Sequence, residues 1–148
     1  MAGPCSRIFI PRKISSSDES RVRSVIDSIA SKVEGSDFWI AGRPFFVDFD
    51  EPEEDERDLV LDGWRPEGVV SFCAMCNDQC DHVFLAMLCY RTAELLEGLI
   101  ALDDISTITR DPSVLTFDGR RPIKGYGYIV HSQFLGYWMS HPDFRLVK

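Results

Sequence analysis

Several features that commonly announce a function are missing from this 148-residue chain. Its apolar stretches break within about ten residues, so no helix of the roughly twenty residues needed to cross a membrane is expected. The start, MAGPCSRIFIPRK, places only Ile8, Phe9 and Ile10 between Arg7 and the Pro11-Arg12 pair. That is too little apolar length for a signal peptide. An excess of positive charge is also absent. Sixteen Lys and Arg face twenty-four Asp and Glu, leaving a net charge of −8 and a pI near 4.8. Such a surface repels phosphates, which excludes nucleic acid as an expected partner. No serine or cysteine stands in a nucleophile-elbow context, so a hydrolytic triad has no support. Gly125-Tyr126-Gly127 lacks the length and the following lysine of a phosphate-binding loop. Repeats and low-complexity linkers are missing too, and residues 1–148 are read as a single domain. The five cysteines are odd in number, and with no export signal they are expected to be reduced thiols in a cytoplasm.

What is present is enough for a core. Hydrophobic residues make up 45% of the chain, with ten Phe, four Tyr and three Trp spread along it. A domain of this size buries roughly two-thirds of the surface its unfolded chain exposes. Against that background stands one run, DFDEPEEDERD, from Asp48 to Asp58. Its eight carboxylates are interrupted only by Phe49, Pro52 and Arg57. Like charges this dense repel one another and cannot enter a core, so the run is expected in solvent, as a surface for a basic partner or simply as a solubilising loop.

The flanking sequence alternates strand and helix patterns. Arg7 to Ile10 reads as a strand stopped by Pro11. Ser16 and Glu19 have capping-box spacing, and Val22, Val25, Ile26, Ile29 and Val33 recur at helical intervals up to Gly35. Phe38 to Ile40 and Phe45 to Phe49 flank Ala41-Gly42-Arg43-Pro44 as a hairpin. Leu59 to Leu61 suggests a short strand, Gly63 to Gly68 a turn, and Val69 to Ala74 a central strand. Asp81 is placed to cap a helix from His82 to about Leu96, apolar on nearly every side and therefore buried. Gly98 stops it, and Leu99 to Leu102 continues as strand. Val114 to Phe117 and Tyr126 to Val130 are further strands, with Asp118-Gly119 as a turn between extended pieces. Ser132 caps a third helix that ends before Pro142, with Tyr137 and Trp138 read as core, and Arg145 to Val147 closes as a strand. The expected class is α+β: a mixed or antiparallel sheet packed against about three helices, one of them buried.

Two constellations carry possible chemistry. Cys73, Cys76, Cys80 and His82 form C-x2-C-x3-C-x-H, and three thiolates with an imidazole are a donor set that zinc accepts. A zinc-stabilised binding module is therefore the alternative reading. Ten consecutive residues that leave a strand and enter a helix make an unusually compact site, and buried or helix-start cysteines explain the pattern equally. Asp81 beside His82 admits acid–base chemistry, for instance in an enzyme that reverses a toxin's modification. Adjacent positions on a helix do not face one another, however, and the dipole at a helix start disfavours a protonated His82. Calcium is not expected in the acidic run, which lacks the glycine of an EF-hand loop.

Gly63-Trp64-x-Pro66, Ala74-Met75-Cys76-Asn77 with Asp81-His82, Glu97-Gly98-Leu99-Ile100, and the ending Phe134-Leu135-x-x-Trp138-Met139-x-His141-Pro142-x-Phe144-Arg145-x-Val147-Lys148 resemble one group of proteins. These are small bacterial proteins that carry a domain of unknown function and occur among the immunity proteins of polymorphic toxin systems. The resemblance spans roughly residues 36 to 148. It implies a cytoplasmic antitoxin-like role, a stable acidic domain that binds one cognate toxin and blocks it; from the residues themselves, no catalytic residue, metal or cofactor is expected. The residue-level reading agrees in kind. Asp48, Asp50, Glu51, Glu53, Glu54, Asp55, Glu56 and Asp58 are expected to attract a basic cleft of the toxin, with Phe49 and Trp64 as aromatic anchors.

Overall fold

The computed structural model describes residues 3–60, 63–102 and 128–146. The elements are β1 Cys5–Ile10, α1 Ser16–Asp27, β2 Lys32–Glu34, β3 Asp37–Ile40, β4 Arg43–Asp50, β5 Gly68–Ala74, α2 Gln79–Leu96, β6 Leu99–Leu102, β7 Tyr128–Val130 and α3 Ser132–Met139. The strands form one seven-stranded sheet in the order β2-β3-β4-β5-β1-β6-β7, and every pairing is antiparallel. The expected α+β class holds, in its antiparallel form.

Side-chain alternation assigns the two faces. Ile8 and Ile10 point with Val47, Val70, Phe72, Ala74 and Ile100 into the larger core. All three helices close over them, through Val22 and Ile26 of α1, Leu85, Leu88 and Leu96 of α2, and Phe134, Leu135 and Trp138 of α3. Phe38, Phe45, Phe72 and Phe84 meet there in stacked and edge-to-face pairs. The opposite face buries a smaller cluster of Phe9, Val69, Leu99, Ala101 and Ile129, covered by Leu59 and Trp64.

Several local expectations shift. The capping box of α1 is Ser15 with Asp18, one position earlier than the sequence suggests. The helix stops at Asp27, because the chain turns to pair β2 with β3. Val33 consequently lies on an edge strand, 42% exposed, instead of on the helix. Gly35 serves the β2–β3 turn at φ +66°. The cap of α2 is Asp78, with Asp81 as its reciprocal partner three residues on. Glu97, at φ 56°, takes the left-handed turn that ends α2. Gly98 is required for packing: a Cβ there would lie 2.7–2.8 Å from Ile10 Cδ1, Ile8 Cγ2 and the Phe9 carbonyl. α2 is not buried all round, since Tyr90, Arg91 and Glu94 reach solvent between α1 and α3. Tyr137 is likewise exposed, whereas Trp138 is core and its Nε1 donates to the Arg145 carbonyl at 3.1 Å. Residues 59–60 and 145–146 are not strands. Val114 to Phe117, Asp118-Gly119 and Gly125-Tyr126-Gly127 lie outside the described residues.

Candidate functional site

The acidic run begins inside β4. The register places Asp48 opposite Ser71 and Ser71 opposite Arg7, in one row across the smaller-cluster face. Beyond Asp50 the chain folds back toward that face. Residues 53–57 make one helical turn, with the amides of Glu56 and Arg57 donating to the Glu53 carbonyl at 3.0 and 3.1 Å. Glu56 Oε2 caps this turn by accepting from the Glu53 amide at 2.8 Å, and the same oxygen accepts from Arg7 Nη2 at 2.7 Å. Arg7 Nη1 reaches Glu53 Oε1 at 3.3 Å. Arg57 Nε donates to the Pro52 carbonyl at 2.9 Å. Pro52 and Glu56 are buried beneath the loop.

This arrangement corrects the expectation that the whole run sits in water. Glu56 is 1% exposed, because Arg7 compensates its charge and the loop's own Glu53 amide also donates to it. Asp48, Asp50, Glu51, Glu53, Glu54, Asp55 and Asp58 are exposed. The two expected aromatic anchors part company. Trp64 is half-buried over the smaller cluster. Phe49 lies on the helix side, where the Arg23 guanidinium sits 5.4 Å from its ring centre. Phe49 thus points away from Asp48 and Asp50, as alternation along β4 requires.

The cysteine–histidine set is not brought together. Cys73 is disulfide-bonded to Cys5, its register partner on β1, so the two are not reduced thiols as the sequence suggested. Cys76 and Cys80 are exposed thiols. The His82 Nδ1 accepts from the Leu146 amide at 2.9 Å. Among the described residues no three His, Cys, Asp or Glu side chains converge as metal ligands would. Burial holds the His82 imidazole below its ordinary value of 6.5, against the opposing charge of Asp81.

Two features escaped the sequence. Arg43, at the start of β4, forks onto Asp81 through Nε–Oδ1 at 2.5 Å and Nη2–Oδ2 at 2.7 Å, and also bonds Asp78. Asp81 is fully buried, and its Oδ2 also accepts from the Asp78 amide at 2.8 Å. The Arg43 bonds hold its carboxyl below the usual value of 3.8 despite burial. Both oxygens are therefore committed to joining the hairpin to α2. The second feature is a cleft of about 530 Å³ where α2 ends and α3 begins, walled by Trp64, Glu94, Glu97, Leu99, His131 and Ser132. The Ser132 hydroxyl donates to Glu94 inside it. No local signal marks either feature, since Arg43 and Asp81, like Glu94 and Ser132, stand 38 residues apart.

Residues 2–148 fit the family of unknown function DUF6368, and the chain belongs to that family. No curated protein and no solved structure matches it. No helix among the described residues is long and apolar enough to cross a membrane.

Proposed function

We propose that this member of the DUF6368 family is an immunity protein that binds and occludes a cognate bacterial toxin domain, without catalysis. The observation that carries the reading is the anchored acidic loop. Its exposed carboxylates do not trail from the domain. Glu56 on Arg7, the buried Pro52 and the capped turn hold the loop in a defined position. A pre-positioned charged surface loses less conformational freedom on binding than a flexible one. Toxin domains that act on phosphate-bearing substrates need basic clefts, and an anionic rim both steers toward such a cleft and complements it. Binding across the cleft mouth would block substrate with no bond made or broken.

Co-expression tests this directly. The chain is produced with candidate toxin domains, beginning with any encoded in the adjacent reading frame, and survival is compared with that given by a Glu53→Gln, Glu54→Gln, Asp55→Asn, Asp58→Asn variant. Arg7 and Glu56 remain, so the loop stays anchored. The native chain should protect and the variant should protect far less. Equal protection by both would remove the acidic surface from the mechanism.

A further inference from the structure

The cleft between the end of α2 and the start of α3 shares no residue with the acidic run. At about 530 Å³ it falls in the size range of ligand-binding cavities. Its lining among the described residues holds two carboxylates and no lysine or arginine. Glu94 and Glu97 enter from the last turns of α2, whose carbonyl end is itself partly negative. The positive end of α3 is already answered by Glu94, which accepts from the Ser132 hydroxyl at the first position of that helix. Ser132 is 8% exposed, so this bond fixes the Glu94 carboxylate in place. Arg12 and Arg21 donate to the Leu96 and Leu95 carbonyls at the end of α2, and neither lines the cleft. Trp64 supplies an aromatic wall and Leu99 an apolar floor.

We infer that this cleft receives an arginine or lysine side chain offered by a partner protein. A cation on an alkyl stem matches the acidic and apolar parts of the lining: its charge meets Glu94 and Glu97, and its body or head lies against the Trp64 ring, with His131 and Gln133 completing the polar wall. The rim favours a polypeptide over a free amine. Tyr90 stands one turn from Glu94 on α2, and Tyr137 one turn from Gln133 on α3. Both tyrosines are exposed, at 36% and 44%, and Tyr90 packs along Gly136 at the seam between the helices. Exposed tyrosines beside a pocket are the composition of a binding hot spot, reached only by residues flanking the inserted side chain. The inference goes beyond the immunity reading and does not require the acidic run to touch anything.

The test is an amide NMR titration at low salt with three probes: an acetylated, amidated tripeptide with arginine between two leucines, the same peptide with citrulline, and agmatine. The arginine peptide should shift the Trp64 indole and the amides of Glu97, Gly98, Leu99, Ser132 and Gln133 saturably. It should bind about tenfold more tightly than the uncharged citrulline peptide, and more tightly than agmatine, which lacks the flanking residues. Glu97→Gln, which leaves the Ser132–Glu94 bond intact, should weaken the arginine peptide several-fold. The Glu53→Gln, Glu54→Gln, Asp55→Asn, Asp58→Asn variant should bind it like the native chain. The spectrum of each variant reports its folding in the same experiment. Equal affinity for arginine and citrulline, shifts centred elsewhere, or agmatine binding as tightly as the peptide would overturn the inference. None of these outcomes bears on the acidic loop.

Discussion

On the helix face of the sheet, Ile8, Val70, Phe72 and Ile100 are covered by three helices and packed without exposed charge. On the opposite face, Phe9, Val69, Leu99, Ala101 and Ile129 are covered by Leu59, Trp64 and the acidic loop. Each face also has an arginine that holds carboxylates from a distant segment. Arg43 grips Asp81 and Asp78 at the hairpin–α2 joint, and both Asp81 oxygens are used within the fold. Arg7 grips Glu56 and Glu53, and around that anchor a group of carboxylates is left exposed to solvent. The same ion-pair chemistry therefore serves two ends: one joint is sealed for stability, while the other displays charge. Stability and recognition should accordingly separate by face when residues are changed.

The largest contrast is expected in packing. Leu88→Ala should cost about 3–5 kcal/mol, as large-to-small changes in a closed core do. Leu59→Ala, at the edge of the smaller cluster, should cost about 1 kcal/mol. Urea denaturation of both variants checks this, and equal losses would erase the distinction between the faces. The anchors come next. Asp81→Ala strands the Asp78 amide and part of Arg43, and should cost about 3 kcal/mol. Glu56→Ala removes one cap and one partly buried pair, and should cost about 1–2 kcal/mol. It should also loosen the loop, visible as faster amide exchange at Glu53 and Arg57.

A pH series sharpens the contrast further. The His82 imidazole is depressed by burial, so the unfolded chain takes that proton first. Its contribution is complete above pH 6.5 and is lost as pH falls through 6.5 toward the lower folded value. Asp81 and Asp18 are lowered too. Arg43 is the main cause for Asp81; for Asp18, burial is outweighed by bonds from Ser15 and Arg12. Their stabilisation is present above about 3.8 and disappears as pH falls through their depressed folded values. Denaturation midpoints should therefore fall in two steps, and His82→Gln should remove the upper one. The smallest stability effect belongs to the exposed carboxylates. Neutralising Glu53, Glu54, Asp55 and Asp58 together should move stability by no more than about 0.5 kcal/mol per site.

What could be read without coordinates follows from the range of the interactions. The β3–β4 hairpin, β5, β6, α2 and α3 are set by local periodicity and turn residues, and each is found close to its expected place. The capping shifts at Ser15 and Asp78 are near misses in stretches where several serines or aspartates compete for the same role. Helical spacing continues past Asp27 to Val33, although the chain has already left the helix there to pair with β3. The long-range features were not legible. β1 is inserted between β5 and β6, and only that order brings Cys5 to Cys73 and Arg7 under Glu56, 68 and 49 residues away. Density of charge identified the acidic run correctly as a surface. It could not show which of its carboxylates is the anchor, because that choice depends on Arg7, 49 residues upstream.

The decisive measurement is the stopped-flow association rate of the native chain with the toxin domain that co-expression selects as its proposed partner, at low and high ionic strength. Steering by the anchored loop predicts a fall of about tenfold or more between roughly 0.05 and 0.5 M salt. It also predicts a slower, nearly salt-independent rate for the Glu53→Gln, Glu54→Gln, Asp55→Asn, Asp58→Asn variant. A native rate that ignores ionic strength, or a variant that associates as fast as the native chain, would contradict it.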